Sequence, residues 1–261
     1  MTARNRGGSV PCALGRYYTD DDVALAVVRD LDDRGIVDFA RAEHVLEPSA
    51  GGGAFVRALR ALRDERGYAF RVLAIDIDPR AAAAEWADDF RVFDALDVDA
   101  WPEDWPDRVD VVIGNPPYSI RVPKLGKDGE PLRYPEHRRR KGGVEPHPKA
   151  GQIQEAVIEV GTDHALRCLE VARIAVLLFR EGFAGGGARY ARLWSRGVLL
   201  NQDTLVPRPS FTGGSTDSCE YATFALDARG GIPWHRRTRG WVVWSASEAD
   251  PEAEEDPDGR T

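Results

Sequence analysis

"HVLEPSAGGGAF", residues 44–55, reads as a short apolar strand, a glycine-rich turn and the opening of a helix that its spacing carries to about Arg66. The same alternation continues outward. "FRVLAIDIDP" (70–79) is a second buried strand ending in acids, followed by an alanine-rich helix over 80–89. "FRVFDALD" (90–97) and "DRVDVVIGNPPY" (107–118) supply a third and fourth strand, and "ARIAVLLF" (172–179) a fifth, with helical spacing over 153–171 before it. A further helix is predicted around 188–195, and 203–246 as closing strands with turns at Gly213-Gly214 and Gly230-Gly231. Upstream, "DDDVALAVVRDLDDRG" (20–35) is a helix with acids at its start and Gly35 at its end. The strands are continuous apolar runs, which means a mostly parallel sheet covered by helices on both faces.

The totals suit one large core. The chain has 261 residues, 43% of them hydrophobic and 30% charged, and no apolar run long enough to span a bilayer. Residues 1–16 read as flexible, and without an apolar stretch they carry no secretory signal. Cys12, Cys168 and Cys219 are odd in number and far apart, so neither a disulfide framework nor a metal site is expected, and a reducing, cytoplasmic setting is. The net charge of −8 is unevenly distributed. Residues 248–261 hold seven acids against Arg260, a balance of −6, so 247–261 reads as a disordered acidic tail. Residues 121–149 hold nine Lys and Arg against four acids, a balance of +5, inside an aperiodic stretch (121–150) that reads as an inserted loop. "HRRRK" (137–141) makes Arg138, Arg139, Arg140 and Lys141 candidates for contact with a phosphate backbone.

In an open α/β sheet, ligands bind beyond the carboxyl ends of the strands, where strand order reverses. Gly51, Gly52 and Gly53 stand at the first such end, and let the backbone turn without a Cβ in the way. No GxGxxG and no GxxxxGK[ST] is present, which argues against a dinucleotide or a triphosphate. Asp76 ends the second strand, and a carboxylate there can accept from two ribose hydroxyls, so a nucleoside cofactor is expected. At the fourth end Pro116 and Pro117 stiffen the chain and donate nothing. The Asn115 side-chain oxygen and the Pro116 carbonyl remain as acceptors, and Tyr118 adds a flat ring. Two acceptors and a ring suit a planar group bearing an NH₂.

"NPPY" after a hydrophobic strand, downstream of "VLEPSAGGG" and "IDIDP", resembles the class I S-adenosylmethionine-dependent amino-methyltransferases, especially the adenine-specific DNA methyltransferases of small phage-like type. The resemblance runs from "YYTDDDVALAVVRDL" (17–31) to about Leu226, and includes "RPSFTGGSTDSCEYATFAL" (208–226). It implies an α/β, Rossmann-like fold with a mostly parallel seven-stranded sheet, a methyltransferase domain over 17–246, and S-adenosyl-L-methionine as cofactor. It places Thr19, Glu47, Ser49, Gly51 and Gly53, with Pro48 and Ala50 of the same turn, around the methionine moiety. Asp76 and Ile77 would hold the ribose and adenine, and Asp94 the adenine amine. Asn115, Pro116, Pro117 and Tyr118 would hold the target base, with Phe211 on its other face.

The expected reaction is methylation of the exocyclic amine of adenine in DNA, in a restriction-modification setting. Many members of such systems carry a separate recognition domain. Only about 35 residues follow Leu226 here, so target selection would fall to 121–150 or to the loops of 180–215. The same corner chemistry also serves adenine in RNA, a glutamine amide in a protein, or the amine of cytosine. An inactive nucleic-acid adaptor is the alternative from another class.

Overall fold

The computed structural model describes residues 19–140, 143–209, 219–232 and 236–243, with the backbone alone for Arg139, Arg140 and Trp241. The expected flexible N-terminus, the acidic tail, Lys141, Phe211 and the Gly213-Gly214 turn lie outside the described residues. Helix α1 (Asp21–Asp33) leads into β1 (His44–Glu47), α2 (Ala54–Arg66), β2 (Arg71–Asp76), β3 (Asp89–Val92) and β4 (Val109–Gly114). An insertion carries β5 (Ser119–Pro123), β6 (His137–Arg140), β7 (Gly143–Pro146) and β8 (Glu155–Glu159). Then come α3 (Gly161–Val171), β9 (Ala172–Arg180), α4 (Gly187–Arg192), β10 (Leu199–Val206), β11 (Tyr221–Asp227) and β12 (Thr238–Val243).

The main sheet runs β12-β10-β11-β9-β4-β1-β2-β3. β11 is antiparallel to both of its neighbours, and every other pairing is parallel. The described sheet therefore has eight strands where seven were expected, because β12 adds to the edge beside β10 in register Asn201↔Thr238 to Val206↔Val243. The chain leaves β1 toward β2 and β3, then returns to β4 on the other side of β1. That reversal is the topological switch point. It puts Glu47, at the end of β1, beside Gly114, at the end of β4.

Apolar strands bury both faces. Val23, Val27, Val28 and Leu31 of α1 and Phe55, Val56, Leu59 and Leu62 of α2 cover one face, together with Phe39 and Phe70. Ala165, Cys168 and Leu169 of α3 cover the other with Trp105, Phe183 and Trp194. Asp203 of β10 is buried and held by Arg34, whose Nη1 donates to its Oδ2 at 2.8 Å, so the end of α1 is tied to the strand beside the sheet edge.

Three elements differ from expectation. The alanine-rich segment 80–89 is a single 3-10 turn, Ala82–Glu85, since β3 begins at Asp89 and leaves no length for a helix. Its Ala83 amide instead reaches Gly51 O at 3.3 Å. The helical spacing read over 153–171 holds only from Gly161, and Glu155–Glu159 is strand β8. The insertion is not an irregular loop: β5 pairs antiparallel with β8, and β6 with β7. Nothing in its sequence alternates regularly, because both faces meet solvent and neither has to be apolar.

Candidate active site

Four strand ends converge on one side of the sheet. At the end of β1, Ala50 N donates to Ile75 O at 2.9 Å and Gly53 N to Ala50 O at 2.7 Å, which folds the chain tightly over β2. Gly51 and Gly53 sit at φ +44° and +80°, where a side chain would be strained. A Cβ on Gly53 would also stand 3.0 Å from Ala83 Cα, so this glycine makes room for the neighbouring backbone. Asp76 locks the turn from the next strand: Oδ2 accepts from Gly51 N at 2.7 Å and Oδ1 from Asp78 N at 2.8 Å. Each oxygen keeps a second lone pair for a ligand hydroxyl. Arg57 fastens the turn to α1 by donating to Gly52 O at 2.7 Å and to Asp21 Oδ2 at 3.1 Å. That linkage keeps Thr19, two residues before the helix, over the same end of the sheet.

Asn115 leaves β4 into this space. Its Nδ2 donates to Thr19 Oγ1 at 3.1 Å, and its Oδ1 accepts from the Tyr118 hydroxyl at 2.9 Å. The sequence reading left that oxygen open to a guest. Here Tyr118 already engages one of its lone pairs, while the amide is fixed in orientation with Oδ1 toward the tyrosine. The Tyr118 ring is half-buried, 5.6 Å from Phe179 and 6.3 Å from Tyr221 between centroids, with the Arg180 guanidinium carbon 5.9 Å away. Phe179, Arg180 and Tyr221 thus frame the corner, and sequence reading missed all three because they come from β9 and β11. Ile77, past the end of β2, is 49% exposed, an apolar surface with no protein cover. Asp94 follows β3 on the surface, where its Oδ1 caps Leu96 N at 3.0 Å. Its charge reaches His164 of α3, whose pKa burial pulls down to about 4. His164 also lines a small cavity with Pro48, Ile75, Ala95 and Trp101. No motif announced it.

Glu47 is the most unusual group. It is 2% exposed, and burial pushes its carboxyl well above the ordinary carboxylate range, with the Asp76 charge adding to the shift. The amides of Ser49 and Asn115 pull the other way without overcoming it. Its Oε1 is buried and has no hydrogen-bond partner among the described residues. A native fold rarely leaves such an atom unpaired unless something else is meant to meet it. Class I methyltransferases use S-adenosyl-L-methionine, and these residues fit it: an orphaned buried acceptor for a cationic ammonium, a glycine turn, and Asp76 one strand away for the ribose.

The sign of the Glu47 shift gives a testable result. The folded protein holds a proton that the unfolded chain releases near its ordinary value, so stability is highest below that value and falls as pH rises toward the raised one. Glu47→Gln removes this loss. Its melting temperature should exceed that of the parent at pH 8 and match it near pH 4. A cation at Oε1 would ionise the carboxyl, so cofactor binding should release protons. Calorimetry in two buffers of different ionisation enthalpy reads that release, and its absence would remove Glu47 from the cofactor site.

Of the remaining residues singled out for substrate contact, Phe211 and Lys141 lie outside the described residues, and the others belong to the insertion. Arg138 lies in the β6–β7 hairpin and donates to Glu145 Oε1 at 2.7 Å. Arg139 and Arg140 stand opposite Val144 and Gly143 in the same ladder.

No family model matches the chain. It is 32% identical over 136 residues to the type II methyltransferase M.TthHB8I of Thermus thermophilus, covering 49% of this chain and 26% of that protein. It is 30% identical over 107 residues to the type II methyltransferase M.CvrRI of Paramecium bursaria Chlorella virus XZ-6E, covering 41% and 25%. The matched segments thus span about a quarter of each curated relative. Among solved structures, a Listeria monocytogenes protein described as a class I S-adenosylmethionine-dependent methyltransferase superposes with a TM-score of 0.57 at 12% identity, over 91% of this chain and 68% of that one. A type I restriction-modification methyltransferase subunit from Streptococcus thermophilus gives 0.52 at 18% identity, over 82% and 45%. With the switch point, the glycine turn and the sheet order in place, the chain carries the class I S-adenosylmethionine-dependent methyltransferase fold and is similar in sequence to type II methyltransferases.

Proposed function

We propose that this chain transfers a methyl group from S-adenosyl-L-methionine to the exocyclic amine of adenine in DNA. The observation that carries the reading is Asn115, fixed between Thr19 and Tyr118 at the switch point and one strand from Glu47, whose Oε1 has no hydrogen-bond partner among the described residues. The similarity to two type II methyltransferases supports DNA as the substrate and a restriction-modification setting. When bound, the cofactor supplies a methyl group activated by its sulfonium charge.

The protein's own part is orientation and charge stabilisation. Asn115 Oδ1 and the Pro116 carbonyl accept the two hydrogens of the amine, which raises electron density on its nitrogen and turns the lone pair toward the methyl group. Neither proline donates, so the corner favours an amine over a carbonyl, and hence adenine or cytosine over thymine or guanine at this edge. As the nitrogen gains positive charge, the same oxygens stabilise it, and the proton departs to water after transfer. To enter, the base must leave its stack at a cost of about a few kcal/mol, offset by contact with the Tyr118 ring and by phosphate contacts elsewhere. Tyr118 must release Asn115 Oδ1, or share it, when the amine arrives.

The direct test is to overproduce the chain in a host lacking adenine methylation and analyse hydrolysed DNA and RNA by mass spectrometry. N6-methyladenine in DNA is expected. Methylated cytosine, or a methyl group confined to RNA or protein, would overturn the assignment.

A further inference from the structure

Between Tyr118 and Gly161 the chain leaves the domain and returns as an antiparallel arm. Its base is pinned to the candidate base-binding corner, because Val160 N and Gly161 N both donate to Tyr118 O, at 3.1 and 3.2 Å. From there β5 and β8 pair from Ser119↔Glu159 to Pro123↔Glu155. Beyond them Lys124 N reaches Gln154 O at 2.8 Å, Tyr134 N reaches Gln152 O at 2.9 Å, and His147 N reaches Glu136 O at 2.8 Å. The β6–β7 hairpin closes the far end. The side turn 125–131 branches off through the Leu125↔Pro131 bridge. The ladders hold five and four pairs, with the Arg133↔Ile153 bridge and the bonds above between them, a length on the order of 40 Å at about 3.3 Å per residue.

The arm's surface is unusual for an ornament. Its strands form two-stranded sheets separate from the main one, and most of their described side chains are exposed. Leu125, Val144 and Val157 are 60%, 66% and 66% exposed. Arg121 pairs with Glu155 and Arg138 with Glu145, whereas Lys124 and Lys127 have no ion-pair partner among the described residues. Tyr134 stacks on His147 at 4.6 Å, with the Lys149 ammonium 5.9 Å from the tyrosine ring. The excess of five positive charges over 121–149 sits in a chain whose net charge is −8.

We infer that this arm is the sequence-reading element of the protein, lying as a two-stranded ribbon in the major groove of duplex DNA beside the extruded base. The inference rests on the DNA-methylation reading and assigns the part that selects the target. A two-stranded ribbon is one of the shapes the major groove admits, and its walls are phosphates that the arm's cations match. Exposed Val and Leu positions suit thymine methyl groups, and polar side chains between them suit base edges. Since the root of the arm is bonded to Tyr118, the register of the ribbon along the groove would fix which base stands before Asn115.

The test uses the full chain and a variant in which residues 125–153 are replaced by Asn-Gly. Lys124 and Gln154 are already hydrogen-bonded neighbours, so a two-residue hairpin turn can join the legs. The variant should bind S-adenosyl-L-methionine within about twofold of the parent. It should bind a 30-base-pair duplex at least about a hundredfold more weakly, with a shallower dependence on salt. Lys124→Ala with Lys127→Ala, which leaves the fold alone, should weaken duplex binding about tenfold regardless of sequence and lower the salt slope by about two. Unchanged duplex affinity in both variants would overturn the inference, and so would equal binding of an RNA hairpin by the parent. If the shortened chain does not fold, the lysine pair decides. Duplex affinity is read without catalysis, so a parent that binds DNA through the arm yet methylates no adenine refutes the proposed reaction and leaves the arm standing.

Discussion

Replacing Asn115 by alanine is expected to lower kcat by about a thousandfold while leaving cofactor affinity within about threefold, because the lost oxygen acts only on the nitrogen that develops charge. The geometry separates the two effects. Asn115 contacts Thr19 and Tyr118, and the glycine turn is held by Asp76, Arg57 and Ala83, none of which depends on the Asn115 side chain. Tyr118→Ala should fall nearly as far, since it removes the ring a base would stack on and opens the packing against Phe179 and Tyr221. Tyr118→Phe tests the finding that the tyrosine hydroxyl engages Asn115 Oδ1. It keeps the ring and frees the acceptor, so kcat should stay within about threefold and KM for the target should not rise. Single-turnover methylation of a duplex oligonucleotide, with cofactor affinity by calorimetry, distinguishes these outcomes. Loss of cofactor binding in Asn115→Ala would move that residue out of the target site.

Where a residue's position follows from its own strand end, it was legible in the sequence. Gly51, Asp76 and Asn115 were read from apolar runs that stop abruptly, whereas Glu47 came only from the family resemblance, and the sheet order brings these strand ends together. Burial of parallel strands on both faces makes such runs conspicuous. Reading failed where the decisive partner is distant in the chain. Phe179, Arg180 and Tyr221 reach Tyr118 only because β9 and β11 pair, and the Tyr118 to Asn115 bond depends on a rotamer no motif encodes. The arm was misread for another reason. A ribbon wet on both faces has no period-two pattern to betray it, and its charge alone remained visible. The alanine-rich stretch failed on length, as propensity cannot make a helix where a strand must begin four residues later.

Gly114→Ala should be among the most damaging small substitutions in the molecule, although it adds one methyl group. A Cβ on Gly114 would overlap Glu47 Oε1 and stand 2.7 Å from Glu47 Cδ. The glutamate cannot swing aside: it is walled in by the β1–β4 pairing and is 2% exposed. The clash must be absorbed by parting the two strands that flank the switch point, at about 1–3 kcal/mol for overpacking of this kind. In a chain of this length that lowers the melting temperature by about 2–4 °C per kcal/mol. Cofactor affinity should fall about tenfold or more, because the displaced carboxyl is the one whose Oε1 waits for a partner. Glu47→Ala added to Gly114→Ala supplies the missing space and should restore much of the melting temperature without restoring cofactor binding. Such a cycle reports the coupling between two residues in contact, expected at about 1–3 kcal/mol. Additive losses of stability would mean the two strand ends are not in the contact seen here. Cofactor affinity recovered in the double variant would show that the Glu47 carboxyl is dispensable, and would leave the glycine turn and Asp76 as the whole of the cofactor site.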